Sequence, residues 1–136
     1  MSRKIISIDD DPGMLRCIEK ALVWKGYILL ATTIPDEGIE MIRKDREIEL
    51  ALLDVKMPGK SGFETYTEIK RFRKLPVLFV TAYPRSFNTK SDEVYKMWKK
   101  EFSDGATDII YKPFEVSTLF EKVEGLIGKA EKVEAK

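Results

Sequence analysis

Two hydrophobic patterns alternate along the chain, and each predicts a different kind of element. Short, nearly continuous apolar runs are typical of buried strands, and they occupy residues 4–8, 27–32, 50–53, 77–80 and 108–111. Between them, apolar residues recur every three or four positions, which is the spacing of one face of a helix. This spacing predicts five helices, whose apolar positions are Leu15, Ile18 and Leu22; Ile39 and Ile42; Phe63, Tyr66, Ile69 and Phe72; Val94, Met97, Trp98 and Phe102; and Val116, Leu119, Phe120, Val123, Leu126 and Ile127.

Helix-capping and turn residues lie between these segments. Asp11 precedes Pro12, and this pair is typical of a helix N-cap followed by proline at the first helical position. We therefore assign Asp11 a structural role in preference to metal binding. Gly26 is expected to end that helix, and Pro35 to begin the next one.

Five successive strand–helix units predict a doubly wound α/β fold, a single parallel sheet with helices on both faces. Right-handed connections and five strands favour the order 2-1-3-4-5, with the switch point between strands one and three. Asp9 and Asp10 follow the first strand and Asp54 ends the third, so we expect these carboxylates to meet there. Thr81 and Lys112 follow strands four and five, and belong to the same edge of the sheet.

Composition narrows the class of protein. The 136 residues are enough for one domain, which we place at residues 1–128, with 129–136 as a charged tail or truncated linker. Twenty-four basic and 23 acidic residues nearly cancel, so charge favours neither a nucleic-acid nor a membrane partner. No apolar run reaches the roughly 18 residues of a membrane span, and we expect a cytoplasmic protein. Histidine is absent, which leaves carboxylates, hydroxyls and lysines for any chemistry.

The expected cluster of carboxylates requires a cation. Two carboxylates about 5 Å apart repel by roughly 3 kcal/mol at an effective dielectric constant of about 20. Mg²⁺ suits such a site because it binds one or two carboxylates together with water and phosphate oxygens. With Lys112 and Thr81 beside the metal, the site would fit a phosphoryl group, and Asp54 would be the nucleophile.

The motifs that carry this chemistry resemble those of the receiver domains of two-component response regulators. They are the acidic cluster 9–12, the run 53–58 followed by Gly62, the strand end 80–82 and the Lys-Pro-Phe sequence 112–114. The resemblance covers residues 3–127. It implies a flavodoxin-like receiver fold in which Asp54 accepts a phosphoryl group from the phosphohistidine of a sensor histidine kinase or a histidine phosphotransfer protein.

The resemblance also implies a role for each site residue. Mg²⁺ would be bound directly by Asp10, Asp54 and the backbone carbonyl of Lys56, and by Asp9 largely through water. Thr81, Ala82 and Lys112 would bind the phosphoryl group and act as the switch, with a cis peptide bond between Lys112 and Pro113. Lys56 and Tyr83 would flank the site and tune the hydrolysis of the phosphoryl group.

Signalling would follow from phosphorylation. The resemblance implies that it alters the surface formed by the fourth helix, the fifth strand and the last helix, through which a downstream effector or a second copy of the chain would bind. Two features depart from the family pattern. The segment between Thr81 and Lys112 is longer than usual by about two helical turns, with the extra residues at 83–91, and Ile109 stands where an aromatic switch residue is usual. Tyr111 shares the strand face of Ile109.

Two other functions remain open at this stage. A receiver-like interaction module that works without phosphorylation would keep the fold but would not be labelled by acetyl phosphate. A metal-dependent phosphohydrolase with an aspartyl nucleophile would turn over small phosphoesters, but the acidic cluster of the first strand lacks the second acid–base Asp that such enzymes place two residues after the nucleophile. We therefore expect a signalling domain that is not an enzyme, beyond its own phosphorylation and slow dephosphorylation.

Overall fold

The computed structural model describes residues 3–82 and 107–130 of the chain. In this part of the chain, the strands and helices follow the predicted order, and they alternate as far as β4. They are β1 (Lys4–Ile8), α1 (Pro12–Lys25), β2 (Ile28–Thr32), α2 (Pro35–Lys44), β3 (Ile48–Asp54), α3 (Gly62–Lys70), β4 (Val77–Thr81), β5 (Thr107–Tyr111) and the C-terminal helix (Val116–Ile127). The helix predicted around 94–102 and the lengthened segment 83–91 lie outside the described residues.

The five strands form one parallel sheet in the order β2-β1-β3-β4-β5, which confirms the predicted doubly wound fold. The chain reverses its direction of winding between β1 and β3, so the carboxyl ends of these two strands lie side by side. β3 is in the middle of the sheet and is buried along most of its length. Its near-continuous apolar sequence follows from this position, because helices cover both faces of the sheet.

Alternate residues of β3 belong to two separate hydrophobic clusters. Ala51 and Leu53 belong to the cluster that α2 and α3 cover, with Ile42 and Ile69. Leu50 and Leu52 belong to the cluster that α1 and the C-terminal helix cover, whose members include Ile18, Leu22, Leu119 and Val123. Within residues 3–82 and 107–130, two helices therefore pack on each face of the sheet.

The ends of the helices largely agree with the sequence signals. The Asp11 carboxylate accepts a hydrogen bond from the backbone N–H of Gly13, which confirms its predicted role as N-cap of α1. Gly26 ends α1 at a φ of 111°, a left-handed conformation that glycine adopts without strain. α3 ends at Lys70, so Phe72 lies in the following turn and not in the helix as predicted, although it packs against the same core. None of the helices in the two described ranges is long and apolar enough to cross a membrane.

Candidate functional site

Three carboxylates meet at the carboxyl ends of β1 and β3. Asp9 and Asp10 follow β1, and Asp54 is the last residue of β3. Oxygens from the three side chains lie within 4.8 Å of one another. Asp9 and Asp54 are only 2% and 5% exposed, whereas Asp10 is exposed to solvent. The cluster is therefore buried on one side and open to water on the other.

Lys112 brings a positive charge into contact with this cluster. Its Nζ lies 2.9 Å from Oδ2 of Asp9 and 3.7 Å from Oδ1 of Asp54. The ammonium is thus closer to Asp9 than to Asp54, a distinction that sequence reasoning did not make. Its backbone N–H donates to the carbonyl of Thr81 at 2.7 Å, which joins the ends of β4 and β5. The peptide bond between Lys112 and Pro113 is cis.

Asp54 is poorly placed to carry a negative charge without a further cation. Its pKa is raised from 3.8 to about 7, chiefly because burial disfavours the charged form and because Asp9 repels it. The Lys112 ammonium opposes this shift but does not cancel it. Hydrogen bonding with the Asp10 and Asp9 side chains also raises the pKa.

The donor set fits Mg²⁺. Three carboxylates and one ammonium leave the cluster with a net negative charge when all are ionised, and every side-chain donor among the carboxylates is oxygen. Mg²⁺ prefers oxygen ligands and retains several waters, which the exposed side at Asp10 can accommodate. Lys56 lies two residues beyond Asp54, with its side chain exposed.

The remaining predicted residues lie around this cluster. Thr81, the last residue of β4, is fully buried, and Ala82 beside it is exposed. Thr81 is paired with Tyr111 across β4 and β5, and Phe79 is paired with Ile109. Ile109 and Tyr111 are both buried in the cluster under α2 and α3. Tyr83 lies outside the described residues.

The loop after Asp54 is held by contacts that sequence reasoning missed. The Gly62 N–H donates to the carbonyl of Val55 at 2.9 Å, which closes the loop directly behind Asp54. Ser61 then caps α3: its hydroxyl accepts from the Glu64 N–H at 3.1 Å, and the Glu64 carboxylate accepts from the Ser61 N–H at 2.8 Å. The sequence signal for this capping box is Ser61 followed by Glu three residues later.

Glycine is required at position 62. A Cβ atom there would collide with the backbone carbonyl oxygen of Asp54. The close approach lets the start of α3 pack against the end of β3, and it thereby fixes the backbone that carries Asp54.

Solved structures of known proteins share this fold. A receiver domain protein, CheY-like, from Methanospirillum hungatei superposes with a TM-score of 0.77 at 26% identity, covering 91% of this chain and 92% of that one. The chemotaxis protein CheY4 of Vibrio cholerae gives a TM-score of 0.78 at 23% identity, covering 93% and 100%. The response regulator protein TrrA of Thermotoga maritima, solved in complex with Mg(2+)-BeF, gives 0.71 at 25% identity, covering 92% and 99%.

The family model for the response regulator receiver domain matches residues 5–124, from the first residues of β1 into the C-terminal helix. This range includes every residue of the acidic cluster and Lys112. The chain therefore belongs to the response regulator receiver domain family of two-component signalling.

Proposed function

We propose that this chain is a cytoplasmic phosphoryl acceptor in a two-component phosphorelay, with Asp54 as the acceptor. The donor would be the phosphohistidine of a sensor histidine kinase or of a histidine phosphotransfer protein, since the chain has no histidine of its own. The observation that carries the proposal is the convergence of Asp9, Asp10, Asp54 and Lys112 at the solvent-facing edge of the sheet. Within the proposal, residues 1–128 form the receiver domain and 129–136 a tail or linker.

Phosphorylation is a single displacement at phosphorus. An oxygen of the Asp54 carboxylate forms a bond to phosphorus while the P–N bond to the donor imidazole breaks. The nitrogen keeps the electron pair, and the released histidine is neutral if its other nitrogen carries a proton. Hydrolysis reverses the modification. Water attacks phosphorus, the P–O bond to Asp54 breaks, and the inorganic phosphate that is released carries the two protons of the water.

A Mg²⁺ ion held by Asp10, Asp54 and the Lys56 carbonyl, with Asp9 acting through water, would supply positive charge for the phosphoryl oxygens. The Thermotoga relative, solved in complex with Mg(2+)-BeF, supports the choice of Mg²⁺ as the metal. Lys112 contributes the second positive charge. Its Nζ, 3.7 Å from an Asp54 oxygen, can pair with a phosphoryl oxygen added there.

The switch would begin at Thr81, Ala82 and Lys112. Thr81 and Lys112 are already joined through their backbones, so a movement at one strand end reaches the other. Phosphorylation would shift a two-state equilibrium and alter the surface of the predicted fourth helix, β5 and the C-terminal helix. That surface would bind an effector or a second copy of the chain.

Lys56 and Tyr83 are proposed to control the lifetime of the phosphoryl group. Lys56 is exposed two residues beyond Asp54, and its stem can cover the phosphoryl group against water. We expect Lys56→Ala and Tyr83→Ala to shorten the half-life of phosphorylated Asp54. An unchanged half-life in both variants would reject the proposed shielding.

Intact-mass measurement after incubation with acetyl phosphate and Mg²⁺ tests the proposed acceptor. We expect one added phosphoryl group on the wild-type chain, none on Asp54→Asn, and none on the wild type in excess EDTA. Asp36→Asn, which removes an exposed carboxylate from α2, is the matched control and should be labelled like the wild type. An unlabelled wild type would instead favour the interaction module that works without phosphorylation.

A further inference from the structure

Three arginines line a cavity at the end of the sheet opposite Asp54. The cavity has a volume of about 460 Å³ and is lined by Ile42, Arg43, Arg46, Phe72 and Arg73. It lies where α2 and α3 end and β3 begins. β3 runs from Ile48 to Asp54, so its length separates the cavity from the acidic cluster by about 20 Å.

Arg73 is held rigidly at the wall of this cavity. Its Nη1 donates to the carbonyls of Ile42 and Asp45 at 3.1 and 3.0 Å. Its Nη2 donates to the carbonyl of Arg46 at 2.8 Å and to that of Ile48. These carbonyls are neutral groups, so they fix the guanidinium without neutralising its charge. The neighbouring Asp45 carboxylate, which feels the charge of Arg73, accepts a hydrogen bond from Lys4 at 2.8 Å.

The other two arginines are more accessible. Arg43 lies over the ring of Phe72, with its guanidinium carbon 4.2 Å from the ring centroid, and pairs with Glu40 at 3.0 Å. Arg46 is exposed, and no ion pair of its side chain is seen among residues 3–82 and 107–130. The lining therefore has three guanidinium groups, and among residues 3–82 and 107–130 the carboxylate seen within ion-pair distance of one of them is that of Glu40.

Part of this basic character has a purely structural explanation. Positive side chains in the last turn of a helix are favoured by the helix dipole, which accounts for Arg43 and Lys44 in α2 and Lys70 in α3. The helix dipole does not account for the cavity, for the fixed guanidinium in the wall of that cavity, or for the aromatic ring beneath a second guanidinium. These features resemble a small-molecule site, and the volume lies within the usual range for such sites.

We propose that this cavity binds a small, multiply charged phosphate ligand, either a nucleotide or an inorganic polyphosphate. The guanidinium group presents paired N–H donors that match two phosphate oxygens, so Arg46 would contact the phosphate chain directly. Arg73 would add a fixed positive charge. The face of Arg43 turned away from Phe72 offers a surface on which a nucleobase can stack, a contact that a polyphosphate cannot make.

Titration of the ¹⁵N-labelled protein with ATP and with tripolyphosphate, followed by NMR, tests this inference. EDTA is present throughout, so that neither anion is bridged by a divalent cation to the acidic cluster. The variant is Arg46→Gln. The Arg46 side chain is exposed, and Arg73 contacts Arg46 through its backbone carbonyl, which the substitution leaves in place. The matched control is Arg16→Gln, which removes an equal charge from the exposed face of α1.

We expect amide shifts around Arg46, Phe72 and Arg73, with an affinity that Arg46→Gln lowers about tenfold and Arg16→Gln leaves within about twofold. If ATP binds at least tenfold more tightly than tripolyphosphate, the ligand is identified as a nucleotide. If the two anions bind with equal affinity, the ligand is identified as a polyphosphate. Shifts absent with both anions, or an equal loss in the two variants, would overturn the proposal. Thermal unfolding of Arg46→Gln is expected to match the wild type, so a loss of binding cannot be attributed to misfolding.

Discussion

Replacing Asp54 by asparagine tests the electrostatics of the acidic cluster directly. The pKa of Asp54 rises from 3.8 to about 7 on folding, because burial and Asp9 disfavour its charge. Between these pH values the folded protein holds a proton that the unfolded chain has released, so the free energy of unfolding falls as the pH rises. Asparagine does not titrate. The stability difference between Asp54→Asn and the wild type should therefore be small near pH 4 and grow until about pH 7.

The size of the effect follows from the shift. A rise of the pKa from 3.8 to about 7 corresponds to roughly 4 kcal/mol. Water at the exposed Asp10 side screens part of this interaction. We therefore expect Asp54→Asn to stabilise the metal-free protein by about 1–2 kcal/mol at pH 8 and by much less at pH 5.

Urea unfolding in EDTA measures the difference in stability between Asp54→Asn and the wild type at pH 5 and at pH 8. The m-values of the two proteins should agree, so that the midpoints report stability alone. Asp36→Asn removes an exposed carboxylate outside the cluster, one that pairs with Lys60, and its effect should not grow between the two pH values. The reasoning is refuted if Asp54→Asn destabilises the protein at pH 8, or if its effect is the same at both pH values.

Three further predictions concern the same region. Mg²⁺ at ten times its dissociation constant should stabilise the wild type by about 1.4 kcal/mol in thermal unfolding, and Asp54→Asn by clearly less; equal stabilisation would contradict binding at Asp54. Gly62→Ala should cost about 2 kcal/mol or more in urea unfolding, because its Cβ meets the backbone of Asp54, and more than Gly125→Ala, whose Cβ meets no other atom within 4 Å. Ser61→Ala should cost about 1 kcal/mol through loss of the α3 cap, whereas Ser61→Asp should retain most of it; equal losses would reject the capping role.

The local elements were predictable because their signals are periodic and lie within a few residues. The spacing of Leu15, Ile18 and Leu22 predicts α1, and Asp11 with Pro12 predicts where it begins. The apolar run before Asp54 predicts β3, although the strand starts earlier, at Ile48. Regular alternation of such elements then leaves few topologies, since parallel connections are right-handed.

The candidate site was predictable as a set of residues for a related reason. In a parallel sheet, residues that follow successive strands lie at one edge, so Asp10, Asp54 and Lys112 could be placed together without coordinates. Sequence reasoning could also have found the Ser61 capping box, whose signal is local. It could not rank Asp9 above Asp54 as the nearer partner of Lys112, because that depends on distances of 2.9 and 3.7 Å between residues far apart in the chain.

By itself, then, the sequence determined the order of the elements, the winding of the sheet and the residue types at its edge, since each depends on local periodicity and on general rules of chain connection. Only the tertiary structure decided how deeply Asp54 is buried, and hence its raised pKa, because burial is a property of everything packed around a residue. The same holds for Arg73, whose guanidinium contacts the end of α2 and the start of β3 across some 25 to 31 residues of chain. Contacts of this kind depend on how helices pack on a sheet, and no local pattern encodes them.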